Sequence, residues 1–188
     1  MIEGLVLLDV ASVVALLFVV LIGLPHGAFD GAIANHIGAG RSFVAAAKFI
    51  AGYCATAGLI IAIWIVFPAV TLTLFLITSK IHFGRGDASA KSGPIFMMQV
   101  LLHGGLPIFG IIYFQQSSVV PLFDALTNGA SDLAVLISKI IAPAMGLMAG
   151  LYGLMAFRDA SIRARFAEFI LLAVVFAILP PLVSFALY

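Results

Sequence analysis

Apolar runs of bilayer length recur along this chain. Leu5 to Leu24 contains no Lys or Arg and a single carboxylate, Asp9, while Phe43 to Phe67 contains a single charge, Lys48. A helix crosses the ~30 Å hydrocarbon core with about 20 mostly apolar residues. By that rule the sequence predicts helices over Leu5–Leu24, Phe43–Phe67, Ile95–Phe114, Leu133–Phe157 and Ile162–Leu179. Pro68 turns the chain into a shorter helix ending near Ile81, and Lys48 stands near enough to its helix start to reach the interface. The stretch QQSSVVPLFDALTNGASD is too broken to span and is expected at the membrane surface. After Pro180-Pro181 a further apolar run, PLVSFALY, begins a seventh helix, too short as it stands to cross a bilayer. The sequence therefore reads as C-terminally incomplete.

Composition agrees, with 64% hydrophobic residues, 9% charged and a mean hydropathy of +1.26, which excludes an ordinary soluble domain. The expected fold is an all-α polytopic membrane bundle of about six transmembrane helices plus the start of a seventh, a single integral domain over residues 1–188. A formal charge of +1 gives no sign of a nucleic-acid partner; the lipid bilayer is the expected surroundings. Cys54 is the single cysteine, so no internal disulfide can form, and it reads as a small packing residue. No basic leader or small-residue cleavage site precedes the first apolar run, which reads as a retained helix.

Charge assigns the sides. Arg41, then Lys80, Arg85 and Lys91, then Arg158, Arg163 and Arg165 follow the first, third and fifth helices, while the connections after the second and fourth hold no Lys or Arg. The positive-inside rule makes the first set cytoplasmic and the N-terminus external, in a multi-pass protein of the cell membrane. His26, in GLPHGAFD, ends the first helix and His82, in SKIHFGRGD, ends the third, so both lie at the cytoplasmic level and can converge. His103, in LLHGGLP, lies about 12 Å deeper by helical rise from the same side. His36 belongs to IANHIGAG, read as a flexible surface loop.

A single interfacial histidine is more often a solvated residue than a ligand. Two features point the other way. Ionisable groups at membrane depth are costly and mark function, and each of these histidines has a carboxylate close behind it, Asp30 after His26 and Asp87 after His82. A carboxylate that accepts the second N–H of a ligating imidazole fixes its tautomer and orientation. Such a donor set suits Fe(II), Zn or Cu better than Mg or Ca, and spacing does not choose among them.

GLPHGAFD, SKIHFGRGD, HGGLPI and the closing AEFILLAVVFAILPPLVSFALY together resemble the Brp/Blh family of membrane-bound β-carotene 15,15'-dioxygenases, over essentially the whole chain. The resemblance implies a non-haem Fe(2+) held by four histidines, two of which match His26 and His82. The other two would form an H-x-x-x-H pair on a final helix beyond Tyr188. It implies oxidative cleavage of the central double bond of β-carotene by O₂ to two molecules of retinal, a product available to a rhodopsin-type partner. Asp30, Asp87 and His103 are then expected around the metal or along the pocket, and activity of the 188-residue chain by itself is in doubt.

The substrate would enter a cavity between helices that opens to lipid. Phe29, Phe83, Met97, Met98, Phe109, Tyr113, Trp64 and Met155 are candidate walls, although ordinary helix packing is the stronger reading of each. Gly104, Gly105, Gly146, Gly150 and Gly153 suit close helix approach, with Gly146-x-x-x-Gly150 in the usual small-residue pattern. Two other classes use the same residues: a membrane-embedded zinc hydrolase acting on lipid, and a non-catalytic carotenoid or retinal binder in which His26 and His82 only hydrogen-bond.

Overall fold

A computed structural model describes residues 9–36 and 38–188, with the side chains of residues 23–32 outside that description. Among the described residues the chain is helical with no strand. The helices are α1 (Val10–His36), α2 (Phe43–Val66), α3 (Pro68–Asp87), α4 (Gly93–Phe114, with a π-helical turn at Leu106–Gly110), α5 (Gln116–Thr127), α6 (Asp132–Arg158), α7 (Arg163–Ile178) and α8 (Pro181–Leu187). The all-α membrane bundle is as expected. Helices α2, α4 and α6 are long and apolar enough to cross a bilayer, and α1 carries a shorter apolar stretch, Val10–Ile22.

Most boundaries follow local chemistry. The Asp9 carboxylate accepts from the Ser12 amide at 2.6 Å at the start of α1, and the Ser42 hydroxyl accepts from the Ala45 amide at 3.1 Å at the start of α2, each satisfying a donor the helix cannot pair. Pro68 and Pro181 occupy first-turn positions, where a missing N–H costs nothing. Asn128 and Gly129, at φ 55° and 85°, end α5 in the left-handed region. That helix is the stretch expected to be too broken to span, and its 12 residues are indeed too few.

Two expectations are corrected. Helix α1 continues through His26 to His36, so His26 does not end it and His36 is its last residue, not part of a loop. Helix α3 continues past Ile81 to Asp87, so His82 lies inside it. In both places the helix runs on through glycines, each of which costs a helix only about 1 kcal/mol against alanine. In α3 close packing on α4 offsets that cost.

The α3–α4 pair is the most extensive contact in the bundle. A Cβ at Gly104 would sit 1.9 Å from the Lys80 carbonyl oxygen, and one at Gly84 would sit 2.0 Å from that of Val100. The two backbones therefore touch where both residues are glycine, the mode by which membrane helices approach without a hydrophobic driving force. Gly105 and Gly153 are also crowded, by Met145 and Phe166, whereas Gly146 and Gly150 have nothing within 4 Å. Among the described residues the Gly146-x-x-x-Gly150 pattern is thus not a packing seam, and Gly84 had not been singled out.

Polar side chains tie the other helices to this pair. Buried Gln99 of α4 accepts from the Ser89 and Ala90 amides at 3.0 and 2.9 Å and donates to the Tyr152 hydroxyl of α6 at 3.0 Å. The Ser138 hydroxyl donates to the Phe109 carbonyl in the π turn at 2.9 Å. Gln115 donates to the carbonyls of Ala177 and Leu179 at the end of α7, and Arg163 donates to those of Ala156 and Phe157 at the end of α6. All but the Gln99–Tyr152 bond pair a backbone group, which is costly to leave unpaired in lipid. Helix α2 has no buried residue and is tied to α5 by the Trp64 indole, which donates to the Leu126 carbonyl at 3.0 Å.

Gly104→Ala is expected to destabilise the bundle by about 1–3 kcal/mol or to prevent folding, because the methyl must displace backbone. Gly150→Ala should be neutral or gain up to ~1 kcal/mol. Thermal unfolding in detergent, compared between the two, checks the difference; equal midpoints would remove the backbone contact as the cause.

Candidate functional site

His82, Asp87 and Tyr188 meet at one cavity of about 550 Å³ bounded by α1, α3 and α8. Helix α3 supplies Phe75, Ser79, His82, Phe83 and Asp87; α1 supplies Val19 and Ile22; and Phe185, Ala186 and Tyr188 close the third side. The wall is a cluster of aromatic rings. His82 lies edge-on to Phe83 with centroids 5.7 Å apart, and Phe83 packs on Phe185 at 5.9 Å and Tyr188 at 5.5 Å, separations at which edge-to-face pairs are favourable.

His82 is exposed and Asp87 half-buried. The Tyr188 hydroxyl donates a hydrogen bond to Asp87 Oδ2, so this carboxylate has a partner beyond its own helix. No hydrogen bond joins Asp87 to His82 among the described residues. The expected carboxylate–imidazole support therefore has both its members at one cavity without the bond itself.

The side chains of His26 and Asp30, and that of Phe29, lie outside the described residues. The backbone places His26 four positions beyond Ile22 on α1, one helical turn past a residue of the cavity wall. Among the described residues no group of three or more His, Cys, Asp or Glu side chains is arranged to hold a metal ion. In kind, the imidazole of His82 and the carboxylate of Asp87 fit a non-haem iron or a zinc, for which nitrogen and oxygen donors are the usual ligands.

His103 is not part of this cavity's wall. It is 1% exposed, edge-on to Phe169 of α7 at 5.8 Å, and neither ring nitrogen has a hydrogen-bond partner among the described residues. His36 is exposed at the end of α1. Lys80, two positions before His82, is half-buried, with its Nζ 5.8 Å from the centre of the Phe109 ring, within cation–π range. At the α6–α7 turn, outside the membrane-spanning helices, the Ser161 hydroxyl and amide donate to Asp159 and hold its carboxyl below the usual range.

Of the candidate wall residues, Phe83 lines the cavity. Phe109 is fully buried and Met98, Met155 and Trp64 pack against the core, while Met97 and Tyr113 are exposed. Packing is therefore the right description of most of them. Ser79, Phe185 and Tyr188 were not anticipated. Ser79 stands three positions before His82 on α3, which places the two on one face and is the one signal the sequence offered.

The model of the family described as beta-carotene 15,15'-dioxygenase matches residues 17–188. The chain belongs to that family. It is 32% identical over 188 residues to a beta-carotene 15,15'-dioxygenase from an uncultured marine bacterium, 66A03, an alignment that takes in 98% of this chain and 66% of the relative. The chain thus spans just under two thirds of the length of that curated relative. No solved structure matches it. Family membership gives the His82 cavity a chemical context that its two described donors alone do not.

His103→Leu is expected to leave the bundle folded and its unfolding midpoint at or above that of the parent. An apolar side chain of similar size gives up no protein hydrogen bond there, and an unpaired buried polar group costs about 1–3 kcal/mol. A midpoint several degrees lower would show that the imidazole is bonded.

Proposed function

We propose that the protein to which this chain belongs cleaves the central 15,15' double bond of β-carotene with O₂ to give two molecules of retinal. The observation that carries the proposal is the apolar, aromatic-walled cavity onto which His82 and Asp87 open, in a member of this family. His26 and His82 would hold a non-haem Fe(II). When bound, that iron supplies the activation of O₂.

The chain's own residues do the rest. Phe75, Phe83 and Phe185 present hydrocarbon and ring faces to the cavity, which suits a rigid polyene that has no polar handle and must be positioned by shape. They also keep water from the reacting carbons. Asp87 lines the same cavity as His82, and the Tyr188 hydroxyl, by donating to it, holds the carboxylate in place. Ile22 and Val19 of α1 form the cavity side nearest His26.

The membrane arrangement belongs to the same proposal. Arg41, Lys91, Arg158 and Arg163 lie at the α1–α2, α3–α4 and α6–α7 connections, so these would face the cytoplasm of a multi-pass protein of the cell membrane. Asp87, at the end of α3, places the cavity at that level. Product retinal would be released beside the bilayer, where a rhodopsin-type protein can take it up.

In the complete protein expressed in carotene-producing cells, His26→Ala and His82→Ala are each expected to abolish retinal formation and to lower bound iron. Asp87→Asn should reduce formation roughly 10–100-fold, as changes to a ligand's support do, and His36→Ala should be silent. Retinal by chromatography and iron by elemental analysis are the measurements. Full retinal yield from either histidine variant removes the assignment, and zinc in place of iron with no O₂ requirement would favour a hydrolase.

A further inference from the structure

A second cavity, of about 210 Å³, adjoins the first. Phe75, Ser79, Phe83 and Phe185 line both. Its remaining walls come from Leu76 of α3, from α4 at and just after the π turn, from α5 and from the start of α8, and among the described residues Ser79 is the one polar side chain of the whole lining. Water needs two to four polar partners to occupy such a space, and these walls offer one hydroxyl. A hydrocarbon suits it.

The chamber is bounded at its far side. Leu122 of α5 and Leu182 of α8 line it and also line a third cavity, where Asp9, Ser12 and Gln115 are found. Wall character thus changes from His82 and Asp87, through an apolar chamber, to a polar cavity beyond the two leucines. The π turn helps to form the chamber: it presents Ile108 to the space, while Ser138 holds the turn from α6 through the Phe109 carbonyl.

We infer that this chamber receives one ring end of the polyene, with the adjoining chain running out through the walls it shares with the first cavity, and that Leu122 and Leu182 form its end wall. The central double bond then lies past the neck made by Ser79 and Phe83, in the larger cavity beside His82. This inference rests on the carotenoid reading above and adds to it the element that fixes how far the substrate enters. The choice of the central bond follows from the depth of the chamber, since nothing polar on the substrate can set it.

The test separates binding from cleavage. In this chain carrying His82→Ala, so that bound substrate is not consumed, Leu122→Trp and Leu182→Trp each place a large ring in the chamber from a different helix. Leu147→Trp, at a residue 81% exposed on α6, controls for the added tryptophan. The chains are purified from β-carotene-producing cells, and pigment per protein is read by visible absorbance after extraction; gel filtration and thermal unfolding establish folding. Expected are folded Leu122→Trp and Leu182→Trp proteins with roughly tenfold less β-carotene than the parent, equivalent to ~1.4 kcal/mol, and a Leu147→Trp protein that keeps it. Parent-level pigment in either folded chamber variant overturns the inference, as does a parent without pigment. Lipid tails lost from the chamber variants with pigment unchanged would show that acyl chains fill the space, which overturns it too. Absence of cleavage in the complete protein would instead defeat the functional reading and leave this comparison standing.

Discussion

The backbone contact between α3 and α4 at Gly84 and Gly104 fixes the placement of the site. Helices in a bilayer gain nothing from burying apolar surface against each other, since lipid is equally apolar, so close approach and polar bonds must hold them. With no Cβ on either residue, α3 lies against α4 at Lys80, Gly84 and Val100. His82 stands between Lys80 and Gly84 on α3, and its orientation toward α1 and α8 follows from α4 having taken the opposite side. Lys80, on the α4 side, meets Phe109.

The second constraint is that an interior polar group without a partner is costly, a cost that His103 alone carries at both ring nitrogens among the described residues. Gln99 avoids it by bonding to both the α3–α4 connection and Tyr152, Ser138 by bonding to the π turn, and Gln115 by capping α7. These are long-range bonds made by uncharged side chains, which cost less to bury than ions do. The contrast with His82 and Asp87 is physical. Gln99, Ser138 and Gln115 are neutral and satisfied, whereas the cavity collects a titratable imidazole and a carboxylate on an aromatic wall, as functional sites in membranes do.

Much of the fold was legible because one rule, the length of an apolar run, governs most of it. The boundaries of α2, α4, α6 and α7 fall within two residues of those expected. The ends of α1 and α3 were misplaced because the apolar runs stop near Leu24 and Ile81, and a run does not show the packing that carries a helix further. The same blindness hid Gly84 and overstated Gly146-x-x-x-Gly150, since a small-residue pattern does not say which helix comes near. His82 and Asp87 were singled out as a polar cluster five positions apart in sequence. Tyr188, 101 positions from Asp87, could not be, because a contact across the bundle leaves no local trace.

Selectivity in such a site must come from walls more than from bonds. An extra methylene in an apolar pocket changes discrimination by only ~1–3 kcal/mol, so a hydrocarbon with many similar double bonds cannot be sorted by contact strength at each one. A chamber of fixed depth solves this differently, by letting the chain advance until its ring meets an end wall. The requirement is then stiffness, which α8 can provide only if its start is held. The Ser184 hydroxyl donates to the Leu179 carbonyl at 2.9 Å, and α8 packs against α1, so Leu182 and Phe185 are fixed from both sides. The bonds that satisfy the backbone at Pro180-Pro181 are thereby also the bonds that set where a substrate would stop.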